Sequence, residues 1–288
     1  MIVARSIEEV RRAVVGARGE GRRVGFAPTM GALHDGHLAL VEASKRSCGF
    51  SVVSIFVNPT QFASPSGAAA YPRDEERDAA LLEGAGTDLV WLPDAAQVYP
   101  PEFATWVTVD ERLTGVLCGA PERRGPDHFR GVTTIVAKLF NVVEPDAAFF
   151  GRKDAQQALI VQRMARDLDF PIEIELVPTV READGLALSS RNAGLSGDER
   201  KRAAAIYAGL SKAEELAAEG ATDATTLVEA VGAELRRAGL EPEYVEVRHA
   251  DDLTAASTTG ERPILLAVAV MVGDTRLIDN VLIGGDER

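Results

Sequence analysis

The chain predicts an α/β protein, with a doubly wound domain over residues 1–177 and a smaller α+β domain over residues 178–288. Three observations carry that prediction. Short β-branched runs alternate with helical patterns through the first two-thirds of the chain, the order that builds a parallel sheet with helices on both faces. Val52-Val53-Ser54-Ile55-Phe56-Val57 is apolar almost without a break, which suits a strand covered on both sides. After Pro178 the order changes to two Ala-, Glu- and Leu-rich helices followed by strand-like runs. The first domain is therefore expected to be Rossmann-like.

In chain order, Val24-Gly25-Phe26-Ala27 reads as a strand, followed by a Gly-punctuated loop and a helix over residues 36–47. The apolar run from Val52 is stopped by Asn58-Pro59, and the Ser- and Ala-rich residues 63–70 read as a flexible loop. A charged helix over 73–83 precedes a strand over 88–92. Helical apolar spacing over 132–143, a short strand over 147–150, a strong helix over 155–168 and a strand over 172–177 close the series. In the second domain the pattern predicts helices over 198–218 and 222–238, then strands over 244–248, 264–272 and 276–283.

The bulk numbers limit what such a protein does. Hydrophobic content of 46% and charged content of 26% are ordinary for a soluble globular chain of 288 residues. The net charge of 31 − 44 = −13 argues against a general nucleic-acid surface, which needs concentrated Lys and Arg. It leaves room for a small anion held by local basic groups and backbone amides. Cys48 and Cys118 form no metal-spaced pair and no disulfide framework, as befits a reducing compartment. No signal peptide is evident, and the longest apolar run, residues 264–272, falls far short of the roughly 20 residues that span a bilayer. A cytoplasmic protein without membrane or nucleic-acid partners is expected.

Two segments carry chemistry. Pro28-Thr29-Met30-Gly31-Ala32-Leu33-His34-Asp35-Gly36-His37 falls where the first of these strands gives way to a helix, the place where open α/β sheets bind ligands. Glycines there let backbone approach a ligand, and amides at a helix start favour phosphate. His34 and His37, three apart, project from one side of a helical turn and can donate to a triphosphate. Alone, the pattern reads equally as a capped helix start with two exposed histidines, and it offers no identifiable metal ligand set. Ala183-Asp184-Gly185-Leu186-Ala187-Leu188-Ser189-Ser190-Arg191-Asn192 brings two hydroxyls and a guanidinium together as donors for phosphate oxygens. Alone, it reads as a polar turn or cap. Together the two segments resemble the paired signatures of nucleotidyltransferases that transfer AMP.

The resemblance narrows to the pantothenate synthetase (pantoate–β-alanine ligase) family through six segments in family order. These are the segment from Pro28 to His37; Phe56-Val57-Asn58-Pro59-Thr60-Gln61-Phe62; Tyr71-Pro72-Arg73; His128-Phe129-Arg130-Gly131-Val132; Phe149-Phe150-Gly151-Arg152-Lys153-Asp154 with Gln156-Gln157; and Val177-Pro178-Thr179 through Asn192. Leu277-Ile278-Asp279-Asn280 also looks like the family. The resemblance implies ATP-dependent condensation of pantoate with β-alanine through pantoyl-adenylate, with Mg²⁺ accompanying ATP and a homodimeric assembly. It also implies that Met30, His34, His37, Gly151, Lys153, Asp154, Val180, Leu188, Ser189, Ser190 and Arg191 meet ATP. His34, His37, Lys153 and Arg191 would act on the transferring phosphate, and Gln61 and Gln157 would hold pantoate.

The sequence departs from the family pattern at four places, one of them the loop before Tyr71, which lacks its usual acidic residues. Arg152 stands where the family has Glu, and Arg77 precedes Asp78 where an acidic pair is usual. Gly125 occupies the position of a family arginine three residues before His128, with Arg124 one residue early. Two other readings of the signatures are a sister adenylyltransferase with a different acceptor, and a non-catalytic ATP-binding regulator.

Overall fold

The structure, a computed structural model, describes residues 1–62, 64–260 and 262–285. Six parallel strands form the large sheet: β1 (Ile2–Ala4), β2 (Val24–Thr29), β3 (Phe50–Ile55), β4 (Leu89–Trp91), β5 (Ala147–Gly151) and β6 (Glu173–Val177). Their order across the sheet is β1-β4-β3-β2-β5-β6. The chain thus winds outward from β2 in one direction and then restarts on its other side with β5. The switch point lies between β2 and β5, and the crevice at their carboxyl ends is where such a sheet accepts a ligand.

Helices cover both faces: α1 (Ile7–Gly19), α2 (Asp35–Ser47), α3 (Pro65–Ala70), α4 (Glu75–Gly84), α5 (Ala95–Val98), α6 (Glu111–Thr114), α7 (Pro126–Val143) and α8 (Ala155–Asp167). The apolar run at β3 is buried along nearly its whole length, as a central parallel strand requires. β1 and α1 were not anticipated from the pattern. The stretch read as a loop over 63–70 is instead mostly α3, capped by Ser64, whose Oγ accepts from the Gly67 amide at 3.2 Å. Ala63, part of that expected loop, lies outside the described residues.

The remaining helices are α9 (Gly197–Ala203), α10 (Ala205–Ala218) and α11 (Ala224–Arg237); the single helix expected over 198–218 is broken at Ala204. An antiparallel sheet of β7 (Pro242–His249), β8 (Ile264–Val272) and β9 (Thr275–Ile283) follows, with β8 central. Alternation along β8 shows how the two halves join. Leu266, Val268 and Val270 pack into a core with α10 and α11, whereas Leu265, Ala267 and Ala269 join the core built mainly from the large sheet and its helices. β8 is therefore buried on both faces, and β9 is pressed against the turn that follows β5.

Candidate active site

β2 ends in a turn whose shape depends on Gly31, at φ +83°; a Cβ there would come within 3.0 Å of Ile55 Cγ2 and 3.1 Å of Asp78 Oδ2. The buried Asp78 accepts from the Leu33 amide at 2.9 Å and fixes the turn from behind. α2 then starts with His34 as its N-cap. His34 Nδ1 accepts from the Gly36 amide at 3.1 Å, and His37 Nδ1 accepts from the His34 amide at 3.3 Å. Gly36 has to be glycine for this, because a Cβ would sit 2.9 Å from His34 Cε1.

These two bonds settle the tautomers. With each Nδ1 an acceptor of a backbone N–H, the neutral rings carry their proton on Nε2. Both rings are neutral at physiological pH. Burial, reinforced by His34, pushes His37 down to about 3; burial and then Lys153 lower His34. The rings lie 4.1 Å apart, centroid to centroid, and line one cleft of about 260 Å³ at the switch point. The cleft thus has two N–H donors that carry no charge of their own.

Facing them is the turn after β5. Gly151, Lys153 and Asp154 line the cleft, with Lys153 and Asp154 3.9 Å apart. Burial pushes the Asp154 carboxyl up, but Lys153, Arg191 and Arg124 together outweigh it and hold it below its ordinary value. The Asp154 side chain is nevertheless 50% exposed, on the wall of the cleft. Asn280 of β9 donates from Nδ2 to the carbonyls of Arg152, at 3.0 Å, and Lys153, at 2.9 Å, so the second sheet holds this turn in place. Asn280 is itself set by Asp279, which accepts from the Asn280 amide at 2.8 Å and pairs with Arg181 at 2.6 Å.

The third wall is the Ser-Ser-Arg turn. Leu188 N donates to Val180 O at 2.9 Å, and Ser189 Oγ caps the short helix that begins at Ser190 by accepting from the Arg191 amide at 3.3 Å. Val180, Leu188, Ser189, Ser190 and Arg191 line the cleft, and so do Met30, Gln61 and Gln157. Every residue expected from the sequence to meet ATP or pantoate is therefore on one surface.

The two glutamines of α8 divide their tasks. Gln156 is buried and satisfied, accepting from Cys118 N at 3.1 Å and donating to the carbonyls of Leu113 and Val116; Gln157 faces the cleft. His128 also lines it. Arg124 donates from a guanidinium nitrogen to His128 Nε2 at 3.2 Å, so Nε2 is the acceptor and Nδ1–H donates to the Gln61 carbonyl at 3.0 Å. Burial and the charge of Arg124 push His128 down to about 4. Sequence reading assigned no role to His128, Arg124 or Asn280. His128 opens one family-like segment and Asn280 closes another, but only their spatial neighbours reveal what they hold.

The family model described as pantoate–β-alanine ligase matches residues 2–282. A pantothenate synthetase of Pelotomaculum thermopropionicum is 48% identical over 288 residues, covering 99% of each chain. Among solved structures, a pantothenate synthetase from Thermus thermophilus superposes with TM-score 0.89 at 44% identity, over 98% of this chain and 99% of that one. The chain belongs to the pantoate–β-alanine ligase family. A further member, the Francisella tularensis pantoate–β-alanine ligase complexed with β-γ ATP and β-alanine, matches with TM-score 0.80 at 29% identity over 98% of this chain and 97% of that one. The activity of the ligase family, joining pantoate to β-alanine to give pantothenate, is the activity of this chain.

Against that family, the departures acquire structural meaning. Lys153, rather than its neighbour Arg152, lines the cleft. Asp78 does not face the cleft at all; it is 1% exposed and serves the Leu33 amide. Arg124, one residue early in sequence, reaches the cleft because Gly125 turns at φ +75° just before α7.

Proposed function

We propose that this cleft makes pantothenate in two steps, using ATP. A carboxylate oxygen of pantoate attacks the α-phosphorus; the bond to the bridging oxygen of the β-phosphate breaks, and pyrophosphate leaves. The amine of β-alanine then attacks the carbonyl of pantoyl-adenylate; the C–O bond to phosphate breaks, AMP leaves, and the amine gives up a proton to become the amide. His34 and His37 donate Nε2–H to phosphate oxygens, while Lys153, Ser189, Ser190 and Arg191 stabilise the charge that grows there. Gln61 and Gln157 hold pantoate, and Met30, Gly151, Val180 and Leu188 shape the nucleotide wall.

The observation that carries this reading is the convergence of segments far apart in sequence, from the Pro28–His37 turn to the Ser189–Arg191 turn, on one cleft at the sheet's switch point. The β-γ ATP and β-alanine named with the Francisella relative agree with it. Mg²⁺ fits as a companion of the triphosphate. Asp154 is the carboxylate lining the cleft, and no group of three or more His, Cys, Asp or Glu able to hold an ion occurs among the described residues. When bound, the ion would neutralise charge on the phosphate oxygens. A domain division at 177/178 belongs to the same reading, supported by the change from a parallel to an antiparallel sheet. The homodimer and the cytoplasmic location rest on the family resemblance, although no helix among the described residues is long and apolar enough to cross a membrane.

Pantoate-dependent exchange of labelled pyrophosphate into ATP tests the first step. His37→Ala and Lys153→Ala should each lower it by about 10²–10³-fold, the cost of one donor to a developing oxyanion, with circular dichroism unchanged. Near-normal exchange in both variants would remove these residues from the mechanism.

A further inference from the structure

The carboxylate of β-alanine passes unchanged into the product, so a site that selects this amine needs a cation set apart from those that serve the phosphates. The cleft is lined by three basic side chains: Lys153, Arg191 and Arg124. Lys153 and Arg191 stand on the two phosphate turns. Arg124 enters from another wall, the loop before α7.

That loop carries two consecutive arginines in opposite circumstances. Arg123 is 15% exposed, pairs with Glu246 at 2.9 Å and stacks over the Tyr244 ring at 4.2 Å. Arg124 has no carboxylate oxygen within 4.0 Å among the described residues; its side-chain bond is to the neutral His128. Its main chain is fixed, Arg124 N donating to Cys118 O at 3.1 Å and Gly125 N to Ala120 O at 3.2 Å. Burial and the nearby Arg191 lower its pKa, marking a partly desolvated cation that lacks an anion. It also lines a second, smaller cavity of about 60 Å³ that runs toward Cys118, Tyr244 and β8, and His128, Lys153, Asp154 and Gln157 line both cavities with it. Arg124 thus stands where the two spaces meet, beside the Gln61 segment that it braces through His128.

We infer that Arg124 binds the carboxylate of β-alanine and so directs the amine into the main cleft toward the pantoyl carbonyl. This rests on the two-step reading above, and it makes Arg124 a specificity residue for the second step only.

The two steps can be assayed apart. In Arg124→Ala, KM for β-alanine should rise by about 10- to 100-fold, the worth of a charge-assisted hydrogen-bonding pair, with Arg124→Lys in between. Pantoate-dependent ATP–pyrophosphate exchange, which needs no β-alanine, should feel the change only through the brace on Gln61 and should fall far less than the use of β-alanine does. The diagnostic probe is β-alaninamide, an amine of the same length without the carboxylate. The wild-type chain should strongly prefer β-alanine, and Arg124→Ala should lose most of that preference while using the amide about as well as the wild type does. Exchange falling in parallel with the overall rate would overturn the inference, because Arg124 would then serve pantoate, ATP or the fold. An unchanged preference for β-alanine would overturn it too. Absence of exchange in the wild-type chain would instead strike the functional reading itself.

Discussion

At the phosphate end of the cleft, the donors come from two compact turns whose own main chain arranges them. His34 and His37 are oriented by amides within the same helix start, and Ser189 caps the turn that carries Arg191. At the acceptor end, Gln61, Arg124, His128 and Gln157 arrive from a 3-10 turn, a loop and two different helices, and they are held by contacts between those elements. Local construction makes the first end rigid and recognisable. The second depends on packing across the molecule, and a single arginine displaced by one residue in sequence still reaches it.

If that contrast is right, damage at the phosphate end should be deep and confined to adenylation. After the His37 and Lys153 variants, the next largest effect is expected for Gly36→Ala. Its Cβ would meet the His34 ring at 2.9 Å, and we expect adenylation to fall by about tenfold or more while the melting temperature changes little. A fall in thermal stability with normal exchange would show that the tight start of α2 serves the fold instead. A smaller effect is expected from Asn280→Ala, which frees the carbonyls of Arg152 and Lys153 without touching the cleft lining. A several-fold loss of exchange would mark β9 as the support of the phosphate turn; equal loss for a variant on the opposite face of β9, such as Val281→Ala, would make it a general packing effect.

The histidines supply the smallest but sharpest comparison. His37, near 3, and His128, near 4, should show no titration in ¹H–¹⁵N spectra of the ring nitrogens between pH 5 and 8. Each is lowered from an ordinary value of 6.5, so the folded state binds fewer protons than the unfolded one below that pH. Their contribution to stability is therefore present above pH 6.5 and is lost as pH falls through about 4 for His128 and about 3 for His37. A ring that titrates near 6.5 would mean that its Nδ1 is not held as described.

How much of this could be read in advance follows the same division. The parallel core was legible because β3 and β5 are buried on both faces and their composition shows it. The phosphate end was legible because its chemistry is contiguous. β1 escaped notice as a three-residue edge strand, although Ser6 and Glu9, which cap α1 reciprocally, are a readable helix start. Ser64-Pro65 likewise announces α3, but the Ala-rich run after it has no apolar face from which to read a period. The break at Ala204 has no local signal at all. Arg124 was visible as a departure but not as a substitute, because its reach depends on the positive φ of Gly125 and on a neighbour, His128, one helical turn away.

The central claim, that one cleft first joins pantoate to the α-phosphate and then releases it to β-alanine, is tested most directly by isotope transfer. With pantoate labelled by ¹⁸O in both carboxylate oxygens, a complete turnover should leave one ¹⁸O in AMP and the other in the amide carbonyl of pantothenate. Unlabelled AMP, with the label in pyrophosphate or inorganic phosphate, would contradict it.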